Sequence, residues 1–271
     1  KVHTWKVIDI YEKDGAYFLY GPGVAKKVEK TYYKGATPQA VEKGFTNFQL
    51  IRLENGSATF VSAPTLDEFA QKTKKPVGQK KPKVYNGKKV DIRGLDISTS
   101  GDIFINAQDY SVDAVGDSRG LLYKDLYMFH FSKDGTLKAS YGIQSTAKKG
   151  GLGGTMQDAR RYATGGSIVE SADGKKLYWM LFPIKKVQMH KEVHGNYEYT
   201  YYTPRMAPRA GSIDLTSGEL SEFQEFGGEK FYLFNAHPFV QIEAGSQVLY
   251  LGEGGDKGRQ IWLGKFSPAT L

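Results

Sequence analysis

Cysteine is absent from this chain of 271 residues, so neither a disulfide framework nor thiol chemistry is available to it. No apolar run approaches the ~18 residues that a membrane-spanning helix requires, and we therefore expect no transmembrane segment. The chain also lacks an RNP motif, a zinc-finger spacing and a basic heptad helix. We therefore expect no nucleic-acid partner, and we interpret the formal net charge of +8 as surface charge that aids solubility.

Aromatic residues and glycine are abundant instead. The chain has 18 Tyr, 15 Phe and 32 Gly. Tyrosine and phenylalanine favour a pleated, half-buried surface, and glycine supplies the tight turns between short strands. The composition therefore predicts an all-β protein in which helix is the minority state.

A β-hairpin pattern recurs four times along the chain. Each copy has an alternating apolar run, a turn that contains glycine, and a second alternating run with an aromatic residue. The four turn glycines are Gly15, Gly101, Gly174 and Gly245. A second hairpin with Asn-Gly, Asp-Gly or Ser-Gly at its turn follows in the first three copies, and the fourth copy stops at its third strand. Two hairpins make a four-stranded antiparallel meander, so the pattern predicts about four β-propeller blades.

The third copy has a distinctive turn, Ser171-Ala172-Asp173-Gly174-Lys175-Lys176-Leu177-Tyr178. This turn resembles those of bacterial YVTN/PD40-type β-propeller repeats, and the resemblance implies a blade-like topology. We expect one propeller domain, either complete or the carboxyl-terminal part of a larger ring. Its expected units are approximately 1–63, 90–143, 163–227 and 236–271, with a linker at 72–89.

Long connectors interrupt the repeats. On a rigid repeat such insertions often carry recognition, so we expect residues 21–45, 106–120 and 183–208 to face a partner. Between the first two units, Thr65 followed by Glu68 predicts a short capped helix. The Lys/Pro/Gly-rich run 74–83 that follows predicts an exposed linker.

Two patterns offer metal ligands. In an extended strand His190, Glu192 and His194 share one face and resemble a two-histidine, one-carboxylate site, whereas in a helix the two histidines would pair. An acidic group in the second connector offers oxygen ligands for Ca²⁺ at a spacing unlike that of an EF-hand: Asp109, Asp113 and Asp117. The alternative for both patterns is a solvated polar surface. We therefore expect no cofactor unless one of them binds calcium or a divalent transition metal.

Arginine and tyrosine cluster at two places in the second half of the chain. Arginine forks bind carboxylate or sulfate, and tyrosine offers rigid contact area. The candidate binding residues are Arg160, Arg161, Tyr201, Tyr202, Arg205 and Arg209. The alternative is that the arginine stems cover sheet edges while the tyrosines pack between blades.

These features predict a non-catalytic binding or scaffold module that recognises a protein or a glycan. We expect a bacterial protein that is secreted, periplasmic or on the cell surface. One alternative is a carbohydrate-active propeller enzyme, a glycoside hydrolase or lyase, that uses Asp109, Asp113 and Glu192. The other is a structural subunit of a larger envelope assembly.

Overall fold

In the part of the chain that the computed structural model describes, the secondary structure consists of mainly antiparallel β-sheets and one short helix, which confirms the all-β prediction. The structure describes residues 4–5, 9–24, 31–34, 37–40, 45–87, 89–115, 118–144, 164–225, 231–233, 239–242, 247–254 and 260–266. The chain divides into two compact units. Unit 1 comprises residues 1–75, 81–109 and 127–143, and unit 2 comprises residues 76–80, 110–126 and 144–271. No helix in these described ranges is long and apolar enough to cross a membrane.

The first repeat forms a sheet in unit 1. Its segment of the chain contains β1 (Thr4–Trp5), β2 (Asp9–Lys13), β3 (Ala16–Val24), a separate hairpin of β4 (Thr31–Lys34) and β5 (Thr37–Ala40), then β6 (Asn47–Glu54) and β7 (Ser57–Ser62). β1 and β2 both pair with β3, and β6 and β7 follow in order. The turns Asp14-Gly15 and Asn55-Gly56 have positive φ at both residues, which confirms the predicted turn chemistry.

A short helix follows the first repeat. It is α1 (Leu66–Gln71), and the two-residue strand β8 (Thr73–Lys74) comes after it. The Thr65 side chain accepts a hydrogen bond from the Glu68 amide, and the Glu68 carboxylate accepts one from the Thr65 amide at 2.8 Å. This capping box confirms the predicted helix start.

The second repeat is a four-stranded meander. Its strands are β9 (Val90–Ile97), β10 (Ile103–Val115), β11 (Ser118–Phe131) and β12 (Leu137–Ile143), and they pair in that order. β8 adds a parallel edge beside β12. The two predicted hairpins of this repeat are therefore both present.

The third and fourth repeats lie in unit 2. Their strands are β13 (Gly165–Glu170), β14 (Lys176–Leu181), β15 (Ile184–His194), β16 (Tyr197–Met206), β17 (Arg209–Asp214), β18 (Gln224–Glu225), β19 (Phe231–Leu233), β20 (Phe239–Ile242), β21 (Gln247–Gly254) and β22 (Gln260–Phe266). The third repeat has the order β13-β14-β17-β18, with β15 and β16 inserted between β14 and β17 in the chain. In the fourth, β21 pairs with β20 and β22, the three strands that the sequence predicts. β21 also pairs with β19, which pairs with β16, so these strands form one six-stranded sheet with β15 and β16.

An aromatic cluster forms the centre of unit 1. Its rings belong to Phe48, Phe69, Tyr85, Tyr127 and Phe129, all of which are buried. Neighbouring ring centroids lie between 4.9 and 6.4 Å apart, mostly in edge-to-face contact. This geometry is the one that aromatic pairs prefer. The rings come from β6, α1, the segment before β9 and the end of β11, so these parts of unit 1 share one core.

A separate core lies in unit 2. Val169, Tyr178, Met180, Leu233 and Phe266 are buried together beneath the third and fourth repeats. The ring of Tyr178 meets that of Phe266 at 5.7 Å. These contacts join β13 and β14 to β19 and β22.

The predicted linker 72–89 is attached to the protein at both ends. Thr73 pairs with Ser140, and the Val77 amide donates to the Leu220 carbonyl at 3.1 Å. Near the other end Tyr85 is completely buried. Within the run 74–83 that the sequence predicts to be exposed, residues 80–82 are exposed but Pro76 is buried.

Gly142 of β12 allows this linker to pack closely against the sheet. A Cβ atom at position 142 would lie 1.8 Å from the Lys83 carbonyl oxygen, and a backbone carbonyl cannot swing aside as a side chain can. We therefore expect Gly142→Ala to lower the free energy of unfolding by about 1–3 kcal/mol, measured by urea titration. Gly94→Ala in β9 is the matched control, because a Cβ there meets nothing within 4 Å. Equal stability of the two variants would contradict the close approach.

Candidate functional site

The third connector folds into a two-stranded ribbon, formed by β15 and β16. Its cross-strand pairs end at His194↔Tyr197, and the two-residue turn 195–196 closes the ribbon. Gly195 takes a φ of 63°, which glycine adopts without strain. Every residue from 191 to 201 is exposed, so the outer half of the ribbon presents both of its faces to solvent.

One face of this ribbon is aromatic. Cross-strand partners share a face, and side chains alternate between faces along each strand. The pairs His190↔Tyr201, Glu192↔Tyr199 and His194↔Tyr197 therefore lie on one side. We call these six residues the tyrosine face: His190, Glu192, His194, Tyr197, Tyr199 and Tyr201.

The side chains of the tyrosine face hold one another in place. The Tyr201 ring stacks on His190 with centroids 4.8 Å apart and planes 7° apart. Its hydroxyl donates to Glu192 Oε1 at 2.6 Å, and the other carboxylate oxygen of Glu192 lies 3.4 Å from His194 Nε2. The Tyr199 ring meets His194 at 5.9 Å. These contacts restrict the orientations that are open to Tyr201.

The two faces of the ribbon differ in charge. Hydrogen bonds from Tyr201 and then His194 hold the pKa of the Glu192 carboxyl below its usual value, so Glu192 is ionised at neutral pH. The same bond raises the pKa of Tyr201, whose hydroxyl therefore keeps its proton. On the opposite face, the Lys191 ammonium donates to Glu198 Oε1 at 2.6 Å, so the two charges there are paired.

The predicted metal ligands of this connector do share a face. β15 is extended, and His190, Glu192 and His194 project from the same side of it, as the sequence analysis expects for a strand. Among the residues that the structure describes, however, no three His, Asp or Glu side chains are placed to hold a metal ion. Glu192 bonds to Tyr201 instead, which the sequence pattern does not reveal.

The acidic group of the second connector is spread along β10 and beyond it. Asp109 is completely buried in unit 1. Asp113 belongs to the same strand, but its side chain is outside the described part, and Asp117 lies outside the described residues altogether. The calcium prediction for these three residues therefore stays a prediction.

The predicted binding arginines take different places. Arg205 is buried in unit 2 with its guanidinium 5.9 Å from the Tyr232 ring centroid, and burial lowers its pKa. Arg209 is half-buried and donates to the Phe223 carbonyl at 2.6 Å. Both side chains are therefore largely withdrawn from solvent. Tyr201 is exposed.

Three other predicted binding residues have no described side chain. Tyr202 lies on β16, where its cross-strand partner is Met189. Arg160 and Arg161 lie outside the described residues.

A buried polar network in unit 1 was not anticipated from the sequence. His130 Nε2 lies 2.8 Å from Asp102 Oδ2, which also accepts a bond of 2.7 Å from Lys138 Nζ. Burial lowers the pKa of His130 against the opposing effect of Asp102. Burial raises the pKa of Asp102, but the bonds from Lys138 and His130 outweigh it and leave that pKa low. His130 also stacks on Phe104 at 4.3 Å and is almost inaccessible to solvent.

A second titratable cluster lies where β2 approaches β9 in unit 1. The buried Tyr20 hydroxyl donates to Asp9 Oδ2 at 3.1 Å. Asp96 is half-buried, and burial raises the pKa of its carboxyl to about 6 although the Lys13 ammonium acts in the opposite direction. Lys13 Nζ donates to the Ile97 carbonyl at 3.4 Å. This carboxyl is the one whose environment most opposes its charge among the acidic groups with a described shift.

Comparisons with known proteins give no family for this chain. No family model matches it, and neither the curated proteins nor the solved structures include a significant match. The geometry of the tyrosine face is therefore the basis for a functional proposal.

Proposed function

We propose that this chain is a non-catalytic binding module that holds a protein or glycan partner on the tyrosine face. One observation carries the proposal: three tyrosines of a solvent-exposed ribbon lie on a single face, and one of them is stacked on and hydrogen-bonded to its neighbours. Tyr197, Tyr199 and Tyr201 are 70%, 54% and 43% exposed. The proposal places the module in a secreted or cell-envelope protein of a bacterium.

Exposed tyrosine rings favour partner binding because binding removes their apolar area from water. Large exposed rings that share a face offer apolar area to be buried, while each hydroxyl is able to form a hydrogen bond. Tyrosine is enriched in interface hot spots because it loses little conformational freedom on binding. Tyr201 loses less still, since its stack on His190 and its bond to Glu192 already restrict it.

The proposal includes a β-propeller scaffold. Three meanders of four strands share one strand order, and a fourth repeat contributes three described strands. This repetition supports a ring of blades, which is a rigid base for connectors. The ribbon is an insertion between the second and third strands of one blade in this arrangement.

The test compares ribbon variants on immobilised peptide and glycan arrays. We expect the wild-type chain to retain a set of ligands whose signal falls at least tenfold in Tyr199→Ala/Tyr201→Ala, since loss of two hot-spot tyrosines removes about 2 kcal/mol or more. The matched control is Val193→Ala/Thr200→Ala, which truncates two exposed residues on the other face of the same strands. This control should keep its ligands.

All substituted positions are exposed, so both variants should keep the wild-type circular dichroism spectrum and melting temperature. If the ligands bind the tyrosine variant and the control equally, the binding surface lies outside the tyrosine face. An array without any specific ligand for the wild-type chain would count against a binding module of either kind.

A further inference from the structure

The tyrosine face carries one formal charge. Of its six residues, only Glu192 is charged when the histidines are neutral, and its side chain is 51% exposed. Tyr201 occupies one lone pair of Oε1, and the contact of Oε2 with His194 is long at 3.4 Å. A carboxylate accepts about four hydrogen bonds in total, so Glu192 has acceptor capacity left for a partner.

Aromatic rings flank this carboxylate. Tyr199 is its direct cross-strand partner, and Tyr201 is hydrogen-bonded to it. Cations are attracted to the faces of tyrosine rings, and a guanidinium can also stack on them while it donates to a carboxylate. A carboxylate between two tyrosines therefore offers both kinds of contact to one cationic side chain.

The charge of this face is opposite in sign to that of the whole chain. The chain has a formal net charge of +8, whereas the tyrosine face bears a single negative charge. On the other face Lys191 and Glu198 neutralise each other. Because salt screens exposed charges beyond about 8–10 Å, a ligand on the tyrosine face responds mainly to Glu192.

The spacing of the face suits an extended peptide. Tyrosines two residues apart on β16 are separated by about 6.8 Å, since a strand rises about 3.4 Å per residue. An extended peptide presents its own alternate side chains at the same interval. Side chains of every second residue can therefore meet the tyrosines in register.

From these observations we infer that the tyrosine face binds an extended peptide segment that carries arginine or lysine, with Glu192 as the anion that selects the cation. This inference rests on the proposed function and narrows its partner from a protein or glycan to a cationic peptide. Arginine should be preferred to lysine, because its planar fork can bond to the carboxylate and stack on a ring at once.

The test uses fluorescein-labelled Thr-Arg-Thr-Arg-Thr-Arg-Thr and its glutamine counterpart with the full chain. We expect the arginine peptide to bind at least tenfold more tightly in fluorescence anisotropy. Glu192→Gln should weaken it at least fivefold, while the amide oxygen still accepts the Tyr201 bond. The control Lys191→Gln/Glu198→Gln alters two charges on the other face and should change the affinity less than twofold.

Three results would overturn the inference. They are equal binding of the arginine peptide by wild type and Glu192→Gln, equal binding of the two peptides, and tighter binding of a neutral oligosaccharide such as cellohexaose. If any of these ligands still requires Tyr199 and Tyr201, the proposed function stands and only the cationic partner fails. If no ligand requires the tyrosines, both proposals fail.

Discussion

Replacing Phe69 with alanine should lower the free energy of unfolding by about 3–5 kcal/mol, the usual cost of removing a buried phenylalanine. Phe69 is completely buried, and its ring contacts those of Phe48, Tyr85 and Phe129 at 6.4, 5.5 and 4.9 Å. The truncation leaves a cavity between three rigid rings that have little freedom to collapse into it. Urea titration followed by circular dichroism measures the loss.

We also predict which part of the chain loses stability in Phe69→Ala. Hydrogen exchange should accelerate in peptides from unit 1, which contains the whole aromatic cluster, before it does so in unit 2. Val61→Ala is the control, since Val61 is 62% exposed on β7 of the same unit and its truncation should cost less than about 0.5 kcal/mol. A cost below 1 kcal/mol for Phe69→Ala would show that α1 is not part of the core.

The strands and turns were predictable because their signals are local. The turns at Asp14-Gly15 and Asn55-Gly56 require positive φ at both residues, which few residue pairs tolerate. Each of these pairs therefore indicates a hairpin in the sequence. The Thr65 and Glu68 capping box is equally local and identifies the helix start. The burial of Phe69, by contrast, depends on Tyr85 and Phe129, which lie far along the chain.

The candidate site was predictable only in part. The alternation of His190, Glu192 and His194 indicates a shared face if the segment is a strand, and Tyr201 was a candidate contact residue. The sequence does not show that Tyr201 is the cross-strand partner of His190, because pairing depends on the register set by the turn 195–196. Nor does it show that Arg205 is buried, since that depends on packing against Tyr232.

Asp96 illustrates the same limit for titratable groups. Leu95, Asp96 and Ile97 alternate between apolar and polar side chains. This pattern indicates a strand whose polar residue faces solvent. In the folded unit the approach of β2 covers part of that polar face: Lys13 donates to the Ile97 carbonyl, and its ammonium acts on the Asp96 carboxyl. The burial of Asp96 thus arises from two segments more than eighty residues apart, as the separation of 84 between Lys13 and Ile97 shows.

Replacing Asp96 with asparagine should stabilise the protein at pH 7 and leave its stability unchanged at pH 3.5. Burial raises the pKa of the Asp96 carboxyl from 3.8 to about 6. The folded state then binds the proton more tightly than the unfolded state, so stability decreases as the pH rises from about 4 to about 6. Asparagine has nearly the shape of the neutral acid and carries no charge, so it removes this loss.

The shift in the pKa of Asp96 sets an upper limit on the free energy of unfolding that Asp96→Asn gains at pH 7. About two pKa units correspond to at most about 3 kcal/mol, and the partial exposure of Asp96 reduces the expected gain to about 1–2 kcal/mol. Urea titrations at pH 3.5, 5 and 7 should show a difference between the proteins that grows with pH. Asp91→Asn is the control: Asp91 lies on the same strand, β9, and its carboxylate is 3.0 Å from Arg93, so its loss should cost less than about 1 kcal/mol. If Asp96→Asn is less stable than the wild type at every pH, the carboxylate accepts a hydrogen bond that the asparagine amide cannot replace.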